Sequence, residues 1–136
     1  MTTANPVTTR ANPIDELRAQ VEKMLDGLDQ RLPISATVVF KVKKDKEDTF
    51  IRNAGILTDG TRKLPGCNVF AYHKRRTTDD PAAAPEFLIY EDWQTTKLFR
   101  SQWDSEHLKT FQYNLLDLIA DLPDLRWYYG WSDANR

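Results

Sequence analysis

The chain has 136 residues, 40% of them hydrophobic, which is room and material for one principal core without covalent staples. Nineteen basic residues against twenty acidic ones leave a formal net charge of −1, so nothing in the total drives it toward phosphate backbones or anionic membranes. The single cysteine, Cys67, excludes an intrachain disulfide and a cysteine-based metal cluster.

Residues 1–11 are too polar to pack and read as a mobile tail. Asn12-Pro13 is an N-cap followed by a first helical residue, with Asp15 and Glu16 where the helix dipole favours negative charge. Ile14, Leu17, Val21, Leu25, Leu28 and Leu32 then form one apolar stripe, ended by Pro33. Residues 12–34 are therefore expected to be a helical extension that lies on its own domain or on a partner subunit. Ala36 to Lys43 is predicted as a strand, with Val38, Phe40 and Val42 on one face and Thr37, Val39, Lys41 and Lys43 on the other. The basic run Lys41, Lys43, Lys44 and Lys46 is interleaved with Asp45, Glu47 and Asp48 and reads as a solvated strand end and turn. A helix over Lys46 to Lys63 carries Phe50, Ala54 and Leu57 on one side, and Leu64-Pro65-Gly66 makes a turn. Strands follow at Cys67 to Arg75 and Phe87 to Trp93, separated by a polar loop from Thr77 to Pro85. Thr95 to Trp103 is a short helix, Asp104-Ser105 caps a second one predicted to reach Ala120, and Leu125 to Trp131 is the last strand.

The order is helix, then β-α-β-β-α-β over residues 35–132, the α+β ferredoxin-like split βαβ arrangement with both helices on one face of an antiparallel sheet. The other face is expected to carry Val39, Val69, Ile89 and several aromatics, too apolar to leave in water, so a homodimer with sheets face to face is expected. No run approaches the roughly 18 apolar residues of a membrane span. The first dozen residues lack the apolar segment of a secretory signal, so with its lone cysteine the protein is expected in the cytoplasm.

The ordered set Phe40-x-Val42-Lys43, Phe50, Leu64-Pro65-Gly66-Cys67, Tyr90-Glu91-Asp92-Trp93-Gln94-Thr95 and Ser105-Glu106-His107-Leu108-Lys109-Thr110-Phe111 resembles the antibiotic biosynthesis monooxygenase family. The likeness is to its quinol-monooxygenase-like branch and covers roughly residues 36–132. It implies a dimeric α/β barrel whose subunits each hold a small hydrophobic pocket between sheet and helices. It also implies oxidation of phenolic or quinol-like aromatics by dioxygen without metal, flavin or other cofactor. An electron-rich phenolate can itself reduce dioxygen, so the protein needs only to promote deprotonation and exclude water.

Glu91 and Trp93 share one side of their strand with Ile89, the side the resemblance assigns to the pocket. Trp93 is then either a stacking wall for substrate or plain core. Glu91 either orients and deprotonates a hydroxyl or forms an ion pair at the dimer interface. Phe99, Trp103, His107, Phe111 and Leu115 recur at spacings of four on one helical face. His107, in a first helical turn, is a candidate proton acceptor, since the dipole disfavours the imidazolium; a core-edge role is the other reading. His73 is the remaining ionisable candidate for ligand contact. Two histidines far apart, without a third ligand, do not make a metal site. Trp127, Tyr129 and Trp131 share a face and read as interface or core. With only Arg126 beside them they do not make a nucleic-acid platform.

The chain departs from the polyketide-tailoring members at Ile89 and Phe99, where those carry asparagine and tyrosine. It departs from the haem-degrading branch at Val38, Gln102 and Gln112, where that branch carries asparagine, tryptophan and histidine. The expected function is a cofactor-independent monooxygenase with Glu91 and His107 as catalytic groups and Trp93, Ile89, Phe99, Trp103 and His73 around the substrate. A non-catalytic barrel binding a small hydrophobic molecule, or a related lyase, cyclase or isomerase, are the alternatives.

Overall fold

A computed structural model describes residues 12–76, 80 and 82–129; the proposed tail and Trp131 lie outside the described residues. Helix α1 runs Pro13–Asp26, and the Asn12 side chain accepts from the Ile14 amide at 2.7 Å, supplying the predicted cap. It ends before Pro33, because Gln30 Nε2 donates to the carbonyls of Leu25 at 2.8 Å and Leu28 at 2.7 Å. These bonds tie the chain just past Asp26 back onto the last helical turn. Leu32 is accordingly off the stripe and 48% exposed, while Ile14, Val21 and Leu25 are buried as their spacing requires. A fourth residue, Arg18, is buried on the same seam.

Strand β1 (Ile34–Lys41) is followed by a 3-10 turn at Lys44–Lys46 and by α2 (Glu47–Arg62), which buries Phe50, Ala54 and Leu57. Gly66 turns the chain into β2 (Cys67–Lys74) with φ +84°, a conformation open to glycine. Strand β3 (Glu86–Trp93) leads through Thr95, which caps α3 (Thr96–Trp103), and Ser105, which caps α4 (Glu106–Asn114). Strand β4 is Asp124–Tyr129. The four strands lie in the order β2-β3-β1-β4, every neighbouring pair antiparallel, as the split βαβ reading requires.

Two expectations are corrected. The second helical segment does not reach Ala120: α4 stops at Asn114 and gives way to a 3-10 turn over Leu115–Asp117. Beyond it, Lys43 N donates to the Leu118 carbonyl at 2.8 Å and Ala120 N to the Lys41 carbonyl at 2.7 Å. The chain is thus captured by the end of β1, which lets the adjacent Leu118 and Ile119 both be buried. The second correction concerns Ile89. It pairs with Val38, not with Val39, and directly opposed residues share a face, so it lies under the helices at 3% exposure. The uncovered face instead carries Val39, Leu88 and Ala71 with the exposed Val69, Tyr90 and Tyr128.

Between sheet and helices the core is aromatic. Phe50 lies 4.8 Å from Phe87 and 5.3 Å from Phe40, and Phe99 lies 5.5 Å from Trp127 and 6.0 Å from both Trp93 and Trp103, ring centre to ring centre. Helix α1 joins this core through Leu25, which is fully buried. Leu25→Ala is therefore expected to cost about 2–5 kcal/mol in urea unfolding, the usual range for a buried leucine. A loss below about 0.5 kcal/mol would show that α1 is not integral to the core.

Candidate active site

The period of two along β3 turns Phe87, Ile89, Glu91 and Trp93 inward, where all four are buried. Three of these positions suit a hydrophobic core and one does not. Glu91 is 7% exposed, and among the described residues its carboxyl accepts one hydrogen bond, from Trp93 Nε1 to Oε1 at 2.8 Å. Burial pushes the carboxyl up to about 7 from an ordinary 4.5, and the Trp93 hydrogen bond only partly offsets it.

Glu91 faces a cavity of about 50 Å³. The sheet contributes Ala36, Val38, Phe40, Phe70, Ile89, Leu125 and Trp127 to its lining. The helices add Phe99, Trp103 and Phe111, and α1 closes one side with Ile14, Leu17 and Arg18. Polar side chains in the lining are Glu91, Arg18, Gln102 and Gln112, so the interior is an apolar chamber with a few polar points.

Of the residues singled out in the sequence, Ile89, Glu91, Phe99 and Trp103 meet at this cavity. Trp93 is fully buried beside it, edge-on to Phe99, and acts on the chamber by holding Glu91. His107 points elsewhere, into the seam between α4 and α2. Its Nε2 lies 3.2 Å from Thr61 Oγ1, and its ring packs so closely that a Cβ on Gly60 would sit 3.4 Å from it. Burial lowers its pKa below the ordinary 6.5, which favours a neutral ring. His73 is exposed, and pairs with Leu88 on the uncovered face of the sheet, away from the chamber.

Arg18 was not evident from the apolar stripe, although Ile14, Arg18, Val21 and Leu25 follow helical spacing and that pattern was its signal. Its Nη1 donates to Gln112 Oε1 at 2.5 Å and its Nη2 to the Trp103 carbonyl at 3.1 Å. The guanidinium carbon lies 4.6 Å from the Trp103 ring centre, a cation–π contact. Val38, Gln102 and Gln112, the positions of departure from the haem-degrading branch, all line the chamber. Gln102 is 1% exposed, and among the described residues its Oε1 has no hydrogen-bond partner. Among the described residues no group of three His, Cys, Asp or Glu is placed to hold a metal ion, and no helix is long and apolar enough to cross a membrane.

Comparison with solved structures finds the same fold in several proteins. A Nitrosomonas europaea protein bearing the antibiotic biosynthesis monooxygenase name superposes with a TM-score of 0.62 at 23% identity, covering 76% of this chain and 94% of that one. A Caulobacter crescentus CB15 protein with the same family name gives 0.63 at 15% identity, covering 74% and 92% of the two chains. A conserved protein from Methanosarcina mazei Go1 gives 0.63 at 18%, covering 74% and 94%. At these identities the likeness is one of fold. No protein with curated function matches. The family model for antibiotic biosynthesis monooxygenases matches residues 33–114, from the start of β1 to the end of α4 and more than half of the chain. The chain belongs to the antibiotic biosynthesis monooxygenase family.

Proposed function

We propose that this chain is a cofactor-independent monooxygenase that oxidises a small aromatic or quinol-like compound with dioxygen, with Glu91 as the general base. The observation that carries this reading is a buried carboxyl near pKa 7 facing an aromatic cavity. A base titrating near neutrality is populated in its ionised form yet basic enough to draw a phenolic proton. The phenolate then reduces dioxygen: one oxygen atom enters a ring carbon, the hydrogens of that C–H and of the hydroxyl are lost, and the second oxygen leaves as water, giving a quinone. The apolar walls keep bulk water from the reduced-oxygen intermediates.

In this reading Trp93 positions Glu91, and Ile89, Phe99 and Trp103 contact the ring. His107, committed to Thr61, supports the docking of α4 on α2. His73 belongs to the uncovered sheet face, which we assign to a second copy of this chain, completing a cytoplasmic homodimer. Support for that assignment is the exposure of Val69, Tyr90 and Tyr128 on an otherwise covered sheet, together with the resemblance to a dimeric family.

Three outcomes follow. Oxygen uptake with a panel of hydroquinones is expected for the wild type, and Glu91→Gln is expected to lower kcat by about 10²–10⁴-fold, the usual range for a general base. Tight binding with no uptake for any quinol would replace this reading with that of a binding barrel. The pKa of Glu91 also predicts a pH dependence of stability. Its folded value, about 7, exceeds the ordinary 4.5, so the unfolded chain ionises first. Stability should fall as pH rises from 4.5 to 7 and stay low above that, by roughly 3 kcal/mol at about 1.4 kcal/mol per pH unit. Urea unfolding at either end of that window should show the loss in wild type and its absence in Glu91→Gln; equal losses in both would contradict the assignment. Finally, Tyr90→Lys with Val69→Lys should shift sedimentation from dimer toward monomer, and an unchanged profile would place the contact elsewhere.

A further inference from the structure

We infer, on the reading of this chamber as the reaction site, that Leu17 is its gate and that ligand enters from a groove between α1 and β4. The chamber holds about 50 Å³, whereas a dry apolar cavity that takes up one benzene ring measures roughly 150 Å³. Any ring that reaches Glu91 must therefore displace part of the lining. Directly outside lies a groove of about 230 Å³, with Val21 and Met24 of α1 on one side of it. Leu17, Pro123, Leu125 and Trp127 line both spaces. All four are half-buried, so the partition between chamber and groove is one side chain thick.

Three of the four partition residues are fixed. The ladder between β1 and β4 sets Leu125 opposite Val38 and Trp127 opposite Ala36. The Trp127 ring also stands edge-on to Phe99 at 5.5 Å, and Pro123 is held by its own ring. Leu17 stands on a helix whose attachment differs from end to end. Just past the C-terminal end of α1 the backbone is bonded to the start of α3. Thr96 N donates to the Leu32 carbonyl at 2.7 Å and Lys97 N to the Gln30 carbonyl at 3.0 Å. Among the described residues, the N-terminal half is tied to other elements through side chains: Arg18 to Gln112 and the Trp103 carbonyl, and Asp15 to Tyr113. Those ties all lie on the side of α3 and α4. Toward β4 the helix presents Leu17, Val21 and Met24, at spacings of four and three. Apolar contact of this kind has no direction to satisfy, so a rotamer change of Leu17, with a slight tilt about the pinned end, joins chamber and groove. Joined, the two spaces exceed what one ring requires. The return of Leu17 then closes the chamber to water.

The test uses fluorobenzene, an uncharged ring without a hydroxyl, so its binding does not depend on oxidation. Exchange between free and bound ring is followed by fluorine NMR on the full chain, in wild type, Leu17→Ala, Leu108→Ala and Leu115→Ala. All three substitutions enlarge the chamber by the same side-chain atoms, but Leu108 and Leu115 do not line the groove. Leu17→Ala should raise the association rate by about tenfold, and the two controls should stay within about threefold of wild type, as for a lid that limits entry. Either control suffices if the other fails to fold. Binding detected in Leu17→Ala alone also upholds the gate. An unchanged rate in Leu17→Ala, an equal rise in a control, or no binding by any of the four proteins at millimolar concentration would overturn it. Oxygen uptake is measured separately. Leu17-dependent entry without uptake of oxygen for any quinol upholds the gate and refutes the monooxygenase reading, and uptake with Leu17-independent entry does the reverse.

Discussion

The hydrogen bond from Trp93 Nε1 to Glu91 Oε1 joins two side chains that the pleat of β3 sends to the same side, deep under the helices. A carboxyl group in that position is expensive to ionise, and the tryptophan N–H alone compensates only part of the expense. Two results come from the same constraint. The indole fixes the direction of the carboxyl, so Glu91 faces the chamber in a set orientation. Desolvation brings its titration to neutrality, where proton transfer is most useful. A glutamate on a solvated strand would have neither property.

The rest of the fold serves to keep that carboxyl dry. The sheet offers one apolar face, and α2, α3 and α4 cover most of it with a mesh of phenylalanine and tryptophan rings. Helix α1, which precedes the segment matched by the family model, closes the remaining side of the chamber with Ile14, Leu17 and Arg18. Arg18 ties it there with bonds to Gln112 and the Trp103 carbonyl, and with its stack on the Trp103 ring. A buried arginine at this point is satisfied by neutral acceptors inside and by Glu22 at 3.5 Å and Asp104 at 3.9 Å toward solvent. The charge is satisfied on the α1 side of the chamber, whose remaining lining is mostly apolar.

Much of this architecture was legible in the sequence, because hydrophobic periodicity reports which side of an element is buried. The alternation in β1 and β3 and the spacing of Phe50, Ala54 and Leu57 place the right side chains inward. Periodicity says less about where an element stops. The ends of α1 and α4 are set by Gln30 capturing carbonyls and by Leu118 and Ala120 bonding the end of β1, tertiary hydrogen bonds with no local signal. Of the site, Glu91, Trp93, Ile89, Phe99 and Trp103 could be grouped from strand and helix spacing. Spacing also puts Arg18 on the buried seam of α1, but neither its inward course nor the direction of His107 could be read that way. Whether an arginine snorkels outward or a histidine turns to a threonine on a neighbouring helix depends on packing between elements distant in sequence.

The chemistry proposed for the chamber depends on the protonation state of Glu91 in the folded protein. Carbon NMR of the side-chain carboxyls, with Glu91→Gln to assign the resonance, measures it directly across a pH titration. A midpoint near 7 is expected for that one carboxyl. A midpoint at the ordinary 4.5 would mean that Glu91 is solvated and ionised throughout, and the buried base would have to be abandoned.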